Sequence, residues 1–349
     1  MRILVTGGAG FIGSAFVHRR LAQTNDHVSV LDKLTYAGTL ANLDGLESAP
    51  ATRDRFRFVK GDICDAALVG ELMADQDAVV NFAAESHVDR SILDAAAFLS
   101  TGIVGVHTLL EATRAETERR AGGRGVRFLQ VSTDEVYGSV ADGESRESDM
   151  LDPRSPYSAV KAAGELLARA YHATHGLDVV ITRGANTYGP HQHPEKLVSL
   201  FITNALCDQS LPLYGDGLQR RNWLFVDDHA DAVSLVLDRG EGGETYNVPG
   251  PDERTNRDVT EAILGQLGKP WSLVRSVPDR PGHDRRYAMD GSKIAALGWA
   301  PRVGFDEGLQ QTVAWYVDNE GWWRTIRDAE WADYYGRQYD WRLERSVGA

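Results

Sequence analysis

Short apolar runs alternate with longer amphipathic stretches through the first half of the chain. Runs rich in aliphatic residues occupy residues 2–6, 28–31, 59–63, 79–84 and 126–131. Between the first two runs, apolar residues recur at helical spacing over residues 11–21. Strands that alternate with helices predict βαβ units and a parallel sheet with helices on both faces. The pattern therefore predicts an α/β fold with a doubly wound sheet.

The loop after the first run has the glycine spacing of a dinucleotide-binding turn. Gly7, Gly10 and Gly13 fit G-x-x-G-x-x-G, which suits a tight turn, close backbone approach to pyrophosphate and close helix packing. The helix that follows would present its amino terminus to the pyrophosphate charge. We therefore predict a Rossmann-type NAD site. Its contacts are expected from Gly7, Gly10, Phe11, Ile12, Gly13, Asp32, Lys33, Asp62, Ile63, Ala83, Ala84, Tyr157 and Lys161.

Asp32 ends the second run, about 20 residues beyond the glycines, where a ribose-binding acid is expected. A carboxylate there accepts a hydrogen bond from a ribose 2′-hydroxyl and repels a 2′-phosphate, so NAD is favoured over NADP. Lys33 beside it leaves NADP open. Asp62 and Ile63 are expected to border the adenine at the end of the third strand.

Five residues in the middle of the chain form the candidate catalytic set. Tyr157 and Lys161 are four residues apart, so a helix would place phenol and ammonium on one face. A fixed cation should favour the phenolate and lower the tyrosine pKa. Thr133 offers a hydroxyl, and Asp134 and Glu135 offer an acid/base pair. Such a set suits a redox-assisted elimination on a sugar, although a helix-surface pair and a solvated turn would have the same sequence.

Composition excludes several classes of protein. The net charge of −13 over 349 residues argues against nucleic acid as a partner. Cys64 and Cys207 are too far apart to indicate a disulfide framework or a zinc site. His191 and His193 could ligate a metal, but a loop at the substrate site is favoured and no metal is expected. An anionic substrate would need a local basic cluster, for which the candidates are Lys196, Arg220, Arg221, Arg280, His283, Arg285 and Arg286.

No targeting or membrane segment is expected. The first strand begins at residue 2, which leaves no room for a signal peptide, and no apolar run approaches membrane-spanning length. A cytoplasmic location follows. After about residue 184 the chain becomes richer in Gly, Pro, His and Asn, but a helix from 226 and a strand over 244–248 should return to the sheet. We therefore expect an NAD-binding domain over 1–184 and about 226–249, and a smaller, discontinuous α/β substrate domain over about 185–225 and 250–349.

Six segments resemble the extended short-chain dehydrogenase/reductase superfamily and, within it, the nucleoside-diphosphate-glucose 4,6-dehydratases. They are residues 85–92, 132–138, 194–197, 214–217, 221–223 and 279–287. The resemblance implies an oxidation triad of Thr133, Tyr157 and Lys161 and a dehydration pair of Asp134 and Glu135. It also implies nucleotide-sugar contacts from Ser86, His87, Asn186, Glu195, Lys196, Tyr214, Arg221, Asn256, Arg280, His283 and Tyr287.

The implied reaction is NAD-dependent dehydration of dTDP-glucose to the 4-keto-6-deoxy sugar, by a homodimer joined through a four-helix bundle. The helices near residues 98–115 and 159–175 would form the bundle. UDP-glucose stays open as the substrate, as do a UDP-sugar 4-epimerase or decarboxylase and an idle NAD-binding homologue. Two positions depart from the family: Thr187 and Gly102 stand where asparagine is usual.

Overall fold

The computed structural model describes residues 1–120, 122–123, 125–327 and 329–348. Its strands are β1 (Arg2–Thr6), β2 (His27–Asp32), β3 (Phe56–Lys60), β4 (Ala78–Asn81), β5 (Arg127–Thr133), β6 (Val179–Gly184), β7 (Asn186–Tyr188), β8 (Leu211–Tyr214), β9 (Arg220–Phe225), β10 (Thr245–Val248), β11 (Asp252–Thr255), β12 (Val274–Val277) and β13 (Val347–Gly348).

Its helices are α1 (Phe11–Gln23), α2 (Ala66–Met73), α3 (Val88–Leu93), α4 (Ala96–Leu99), α5 (Val106–Arg119), α6 (Pro156–His175), α7 (Leu197–Leu206), α8 (Val226–Arg239), α9 (Asn256–Leu267), α10 (Ser292–Ala296), α11 (Phe305–Asp318), α12 (Glu320–Ile326) and α13 (Ala329–Glu344). A π-helical segment, Ser100–Gly105, joins α4 to α5, and 3-10 turns cover Leu40–Leu43, Asp134–Tyr137 and Trp271–Leu273.

Seven parallel strands form the central sheet in the order β10-β6-β5-β4-β1-β2-β3. The predicted doubly wound α/β fold is confirmed. The order reverses between β1 and β4, and ligands of such sheets bind in the crevice outside the carboxyl ends of the strands at this point. Two predicted runs end earlier than expected. β3 stops at Lys60 because the Asp62 carboxylate accepts from the Cys64 N–H in a turn, and β4 stops at Asn81.

The two faces of the sheet are covered by different helices. Alternate side chains of β1 point to opposite faces, so Ile3 and Val5 pack in the core under α1 and α8, whereas Leu4 packs under α2, α5 and α6. A separate aromatic core lies among β7, β9, α7, α9 and α11 and is centred on Tyr188 and Phe305. Two three-stranded sheets accompany it, ordered β11-β9-β7 and β13-β12-β8.

One helical stretch corrects the expectation that no run approaches membrane-spanning length. Residues Ala96–Arg119 are long and apolar enough by length and composition. A single stretch of this kind is weak evidence for a membrane span, because the core helix of a soluble protein passes the same test. Here the stretch packs against α6 and α2.

Candidate active site

A cavity opens at the carboxyl edge of the central sheet and reaches into the aromatic half of the protein. All predicted cofactor-contacting and catalytic residues line it. So do all predicted substrate contacts except Tyr287. Residues more than 200 positions apart in the chain therefore share one cavity, from Gly7 in the glycine loop to Tyr339 in α13.

The glycine loop can approach a ligand with its backbone because side chains are excluded from it. Gly7 has a φ of +70°, and a Cβ added there would lie 2.5 Å from the main-chain nitrogen of Ala83. A Cβ on Gly13 would lie 2.3 Å from the carbonyl oxygen of Gly7. Gly10 caps α1 without a side-chain hydrogen bond, and the first turn has no acidic residue. The first amide groups of α1 therefore remain available to an anion.

The predicted ribose-binding acid lies at the end of β2. The Asp32 carboxylate accepts from the main-chain N–H of Ala9 at 2.9 Å and of Leu34 at 2.8 Å. Lys33 instead forms an ion pair with Asp62 at 2.7 Å. Lys33, which could otherwise bind the 2′-phosphate of NADP, is thus already paired with a carboxylate.

A capping box fixes the amino terminus of α6 and, with it, the catalytic tyrosine candidate. Ser155 and Ser158 exchange hydrogen bonds around the first turn, and Pro156 occupies the first position. The main-chain N–H of Tyr157 donates to Ser91 Oγ at 3.2 Å. Lys161 lies one turn later, and its ammonium donates to the carbonyl oxygen of Val131 at 2.6 Å.

The expected lowering of the tyrosine pKa by Lys161 is wrong for the protein's own groups. Burial of the phenol raises the pKa of Tyr157, the Glu135 and Asp134 carboxylates raise it further, and a hydrogen bond with Thr133 opposes them. Burial also lowers the pKa of Lys161 to about 8. The sequence suggested the cation but gave no measure of how close the two carboxylates lie to the phenol.

The acid/base pair lies on a 3-10 turn directly after β5. The Thr133 hydroxyl accepts from the Glu135 N–H at 3.3 Å and donates to Asp134 Oδ1 at 3.1 Å. Asp134 Oδ2 is buried and has no hydrogen-bond partner among the described residues. Burial, with a contribution from Glu135, raises the pKa of Asp134 to about 7, and burial raises the pKa of Glu135 as well. Near neutral pH Asp134 can therefore act as an acid.

Two arginines from the second half of the chain face this pair. Arg221 is 4% exposed, its guanidinium lies 4.2 Å from the Tyr287 ring centroid, and it donates to the carbonyl oxygen of Asp284 at 2.9 Å. Arg280 forms an ion pair with Asp89 at 3.3 Å. Tyr287 itself does not line the cavity, because its hydroxyl donates to the Asp284 carboxylate at 2.7 Å. Tyr287 instead stabilises Arg221 through the contact between its ring and the guanidinium.

Of the other basic residues predicted to bind an anionic substrate, some line the cavity and some lie on the surface. Lys196 lines the cavity and donates to the carbonyl oxygen of Ser86, and burial lowers its pKa. His283 lines it too and pairs with Asp279 at 2.6 Å. Three candidates pair with carboxylates outside the cavity because their strands and loops face solvent. They are Arg220 and Arg286 with Glu253, and Arg285 with Asp216.

Asp89 and Tyr339 are cavity residues that the sequence reasoning missed. Asp89 is 3% exposed and accepts from the Tyr214 hydroxyl at 2.9 Å as well as pairing with Arg280. The Tyr339 ring stacks on Tyr214 with centroids 6.2 Å apart. An acid within the recognised 85–92 segment was a usable signal for Asp89, whereas nothing local distinguished Tyr339 from core aromatics.

Two predicted substrate contacts line the cavity with side chains already engaged. The buried Glu195 carboxylate pairs with Arg90 at 2.8 Å, and the His87 ring lies 3.0 Å from the Glu195 carbonyl oxygen. Asn186 and Asn256 also line the cavity, and the buried Asn186 Oδ1 has no hydrogen-bond partner in the part of the chain that the structure describes. Among the described residues no group of three or more metal-ligating side chains occurs.

Known proteins resemble this chain along most of its length. A family model described as GDP-mannose 4,6 dehydratase matches residues 4–312. The dTDP-glucose 4,6-dehydratase of Streptomyces niveus is 51% identical over 336 residues, which are 95% of this chain and 97% of that relative. The crystal structure of DesIV, a dTDP-glucose 4,6-dehydratase from Streptomyces venezuelae with NAD and TYD bound, matches with a TM-score of 0.88 and 52% identity, covering 93% of this chain and 100% of that one.

A UDP-glucose 4-epimerase from Thermus thermophilus, in complex with NAD, matches more distantly. Its TM-score is 0.82 and its identity 33%, over 91% of this chain and 100% of that one. The family model covers the glycine loop, the acid/base pair and both arginines. The chain belongs to the GDP-mannose 4,6 dehydratase family.

Proposed function

We propose that this protein is an NAD-dependent dTDP-glucose 4,6-dehydratase of deoxysugar biosynthesis. It would convert dTDP-glucose to dTDP-4-keto-6-deoxyglucose by oxidation at carbon 4, elimination of water across carbons 5 and 6, and reduction at carbon 6. The observation that carries the proposal is the pair of the buried Asp134 and the half-buried Glu135 beside Tyr157, in a cavity that the glycine loop also lines. The named relatives support the same reaction.

NAD fits the residues that form the first part of the cavity. Gly7 and Gly13 would let backbone approach the pyrophosphate, and Asp32 would accept from a ribose hydroxyl. Ile63 and Asp62 would border the adenine, and the proposal of NAD over NADP is supported by the Lys33–Asp62 pair. When bound, NAD+ supplies the redox chemistry, since it accepts hydride from carbon 4 and returns it to carbon 6.

Tyr157 would remove the proton of the sugar 4-hydroxyl during oxidation. Its raised pKa makes the phenolate costly among the protein's own groups, so the positive charge of the bound cofactor and the Lys161 ammonium must offset the two carboxylates. Thr133 would bind the same sugar oxygen. The capping box holds Tyr157 in the first turn of α6, where it needs no rearrangement to reach the cavity.

Glu135 and Asp134 would carry out the elimination. The ketone at carbon 4 acidifies carbon 5, Glu135 takes the carbon 5 proton, and Asp134 donates a proton to the departing 6-hydroxyl. The protonated Glu135 would then return a proton to carbon 5 when carbon 6 is reduced. A pKa of about 7 leaves Asp134 substantially protonated near neutrality, as an acid requires. A carboxylate and a carboxylic acid on adjacent residues would thus act on adjacent carbons.

The second half of the chain would bind the nucleotide diphosphate. Arg221 and Arg280 can donate charge-assisted hydrogen bonds to phosphate oxygens. Tyr214 would stack on the base. The remaining proposed contacts, some of them made through main-chain atoms, are Ser86, His87, Asn186, Glu195, Lys196, Asn256 and His283.

The test is a side-by-side assay of dTDP-glucose, UDP-glucose and UDP-galactose, with products analysed by mass spectrometry. A dehydratase yields a product lighter by one water, whereas a 4-epimerase yields an isomer of unchanged mass. We expect loss of water with dTDP-glucose above the other nucleotides. Unchanged mass with every substrate would reject the proposal.

We infer that the protein is a homodimer through a four-helix bundle. The face formed by α3 to α6 leaves four large aliphatic side chains about half exposed: Leu93, Leu99, Val104 and Leu166. Exposed apolar side chains on elements that contact one another favour a protein partner. Light scattering should give the mass of two chains, and Leu166→Glu should halve it. Met150→Glu, at an exposed site elsewhere, should leave the dimer intact.

The domain division is also a proposal. The central sheet is built from strands within 1–184 and 226–249, and the two small sheets from strands within 185–225 and 250–349, which supports it. However, Met289, Ile294 and Trp299 pack in the core of the first group. Limited proteolysis with fragment sequencing would test whether cuts concentrate near residues 185, 225 and 250.

A cytoplasmic location is proposed as well. Cys64 and Cys207 are free cysteines, as a reducing compartment permits. Fractionation of cells should recover the protein with the cytoplasmic contents, and recovery with membranes would contradict the proposal.

A further inference from the structure

His229 is a buried histidine that no proposed catalytic step uses. It lies in the first turn of α8, is 2% exposed, and lines the cavity. Its imidazole covers the carboxyl end of β6, because a Cβ added to Gly184 would lie 2.4 Å from its Cε1 atom and 2.6 Å from Nε2. Gly184 is the register partner of Thr133 on β5. The ring therefore lies beside the strand end that carries the proposed catalytic hydroxyl.

One side of the imidazole has a partner that fixes its tautomer. The Thr187 hydroxyl donates to the carbonyl oxygen of Ala185 at 3.0 Å and lies 2.8 Å from His229 Nδ1. A hydroxyl has one proton, and when that proton is donated to Ala185, Nδ1 is the donor to Thr187. Burial lowers the pKa of His229 to about 4, so the ring is neutral near pH 7. Nε2 is then an unprotonated acceptor.

This acceptor has no hydrogen-bond partner in the described residues. His229 Nε2 is buried from solvent and unsatisfied. Buried polar atoms in native proteins are nearly always paired, and leaving one unpaired is costly. An N–H or O–H group of a molecule that enters the cavity would satisfy this atom.

The position of α8 indicates which molecule supplies that group. α8 packs against α1, the helix whose amino terminus would receive the pyrophosphate, on one face of the sheet. Tyr157 comes from α6, on the opposite face. A nicotinamide joined to that pyrophosphate must reach Tyr157 to exchange hydride with the sugar, so it would lie along the carboxyl edge of the sheet, and His229 lines the same cavity at the end of β6. The only hydrogen-bond donor on its ring is the carboxamide N–H.

We propose that His229 is a positioning residue whose Nε2 accepts a hydrogen bond from the nicotinamide carboxamide. The bond would fix the rotation of the carboxamide and so the ring face presented to the sugar. Thr187 contributes by holding the imidazole in the accepting tautomer. This inference rests on the proposed NAD-dependent function and adds a residue to it.

The test compares two cofactors that differ at the carboxamide. The 3-acetylpyridine analogue of NAD+ keeps the carbonyl oxygen but replaces the amide nitrogen with a methyl group, so it has no N–H to donate. Protein freed of bound nucleotide is titrated with each cofactor by calorimetry. We expect wild type to bind NAD+ about tenfold more tightly than the analogue, the usual scale of one buried hydrogen bond. His229→Asn retains an amide near Thr187 but lacks Nε2. For this variant the ratio of the affinity for NAD+ to the affinity for the analogue should fall close to one.

Two further variants separate positioning from folding. His229→Gln, whose longer amide extends toward the Nε2 position, should regain part of the discrimination. His191→Asn alters a histidine that packs against Trp315 and Trp322 away from the cavity, and should keep the wild-type ratio. If His229→Asn does not fold, as judged by lost binding of dTDP, the ratio measured with His229→Gln decides.

The possible results distinguish a failure of the His229 assignment from a failure of the proposed function. An unchanged ratio in a folded His229 variant that still binds NAD+ would mean that ordered water satisfies Nε2, and it would overturn this inference alone. Wild type that binds no NAD+ at all would overturn the proposed function and this inference with it. A ratio that falls in His229→Asn but not in His191→Asn supports the assignment.

Discussion

Asp134 and Asp89 are buried in the walls of the same cavity, yet their pKa values shift in opposite directions. Burial and the neighbouring Glu135 carboxylate raise the pKa of Asp134 to about 7, and the hydrogen bond from the Thr133 hydroxyl does not offset them. Asp89 is just as buried, but the Arg280 guanidinium and the Tyr214 hydroxyl outweigh burial and hold its pKa below the usual range. Burial alone therefore does not decide the protonation state. The partner does.

The opposite pKa shifts of Asp134 and Asp89 indicate that one end of the cavity transfers protons and the other binds an anion. Arg221 and Arg280 face the carboxyl groups near Tyr157, but among the described residues neither carboxyl group forms an ion pair with a cation, so both can exchange protons with a substrate. The end near Arg280 pairs its carboxylate, so the arginine is held in place for an anion. Single substitutions can therefore disturb one end at a time.

The largest effect is expected for Glu135→Gln. The amide retains the shape of the side chain but cannot accept the carbon 5 proton, so elimination should slow ~100- to 10,000-fold. Oxidation at carbon 4 should persist, because Tyr157 and Thr133 are unchanged. Rapid-mixing absorbance of the reduced nicotinamide would detect the oxidation, and mass spectrometry the missing loss of water.

Glu261→Gln is the matched control for that experiment. Glu261 is an exposed glutamate on α9, paired with Arg257, and its loss should change neither step. Wild-type dehydration by Glu135→Gln would show that another group removes the carbon 5 proton.

Arg221→Ala should weaken substrate binding by a free energy similar to the rise in activation free energy expected for Glu135→Gln. Its effect appears in the affinity for dTDP and not in the rate of elimination. A buried guanidinium facing phosphate is expected to contribute ~2 to 5 kcal/mol to binding, since its removal leaves a charge unpaired. Tyr157→Phe is the counterpart, because it should abolish the oxidation and leave dTDP binding nearly intact. Calorimetry with dTDP separates the two, and equal losses of affinity would contradict the division of tasks.

Asp89→Asn should give a smaller loss on the same side. The amide keeps the size of the side chain but removes the charge that holds Arg280, and we expect dTDP affinity to fall by ~1 to 3 kcal/mol. Asp216→Asn breaks an exposed ion pair with Arg285 instead and should have no measurable effect. Equal effects of the two substitutions would show that Asp89 does not position Arg280.

The two ends also differ in how far the sequence predicted them. The glycine loop, Asp32 and Tyr157 lie within single βα units, where spacing fixes geometry, and the structure brings them together in one cavity. The binding end depends on pairing of distant segments, such as β8 with β12. Because no local pattern specifies that pairing, the sequence placed Tyr287 in the cavity and left Tyr339 out of it.

The sign of the tyrosine pKa shift failed for a related reason. The sequence reasoning considered Lys161, whose helical spacing from Tyr157 is local information. It did not weigh the carboxylates of Asp134 and Glu135, whose distance from the phenol is set by the packing of β5 against α6. Electrostatic shifts depend on three-dimensional separation, which spacing along one helix does not supply.

A pH dependence is expected for Asp134 and not for Asp89. Asp134 must be protonated to act as an acid, so the rate of elimination in a single turnover should fall as the pH rises above about 7. The same shift affects stability. Because the folded-state pKa lies above the ordinary value of 3.8, the native state binds the proton more tightly, and the resulting stabilisation is present at low pH and lost as the pH rises through about 7.

Asp134→Asn removes this titration without changing the shape of the side chain. Urea denaturation of both proteins between about pH 5 and about pH 8 should show wild type losing stability relative to the variant, by at most about 1.4 kcal/mol per pH unit. Asp89→Asn should not reproduce the trend, because the lowered pKa of Asp89 keeps it ionised throughout that range. If wild type and Asp134→Asn gave parallel stability curves, Asp134 would already be ionised at pH 5, and the acid in the elimination would have to be another group.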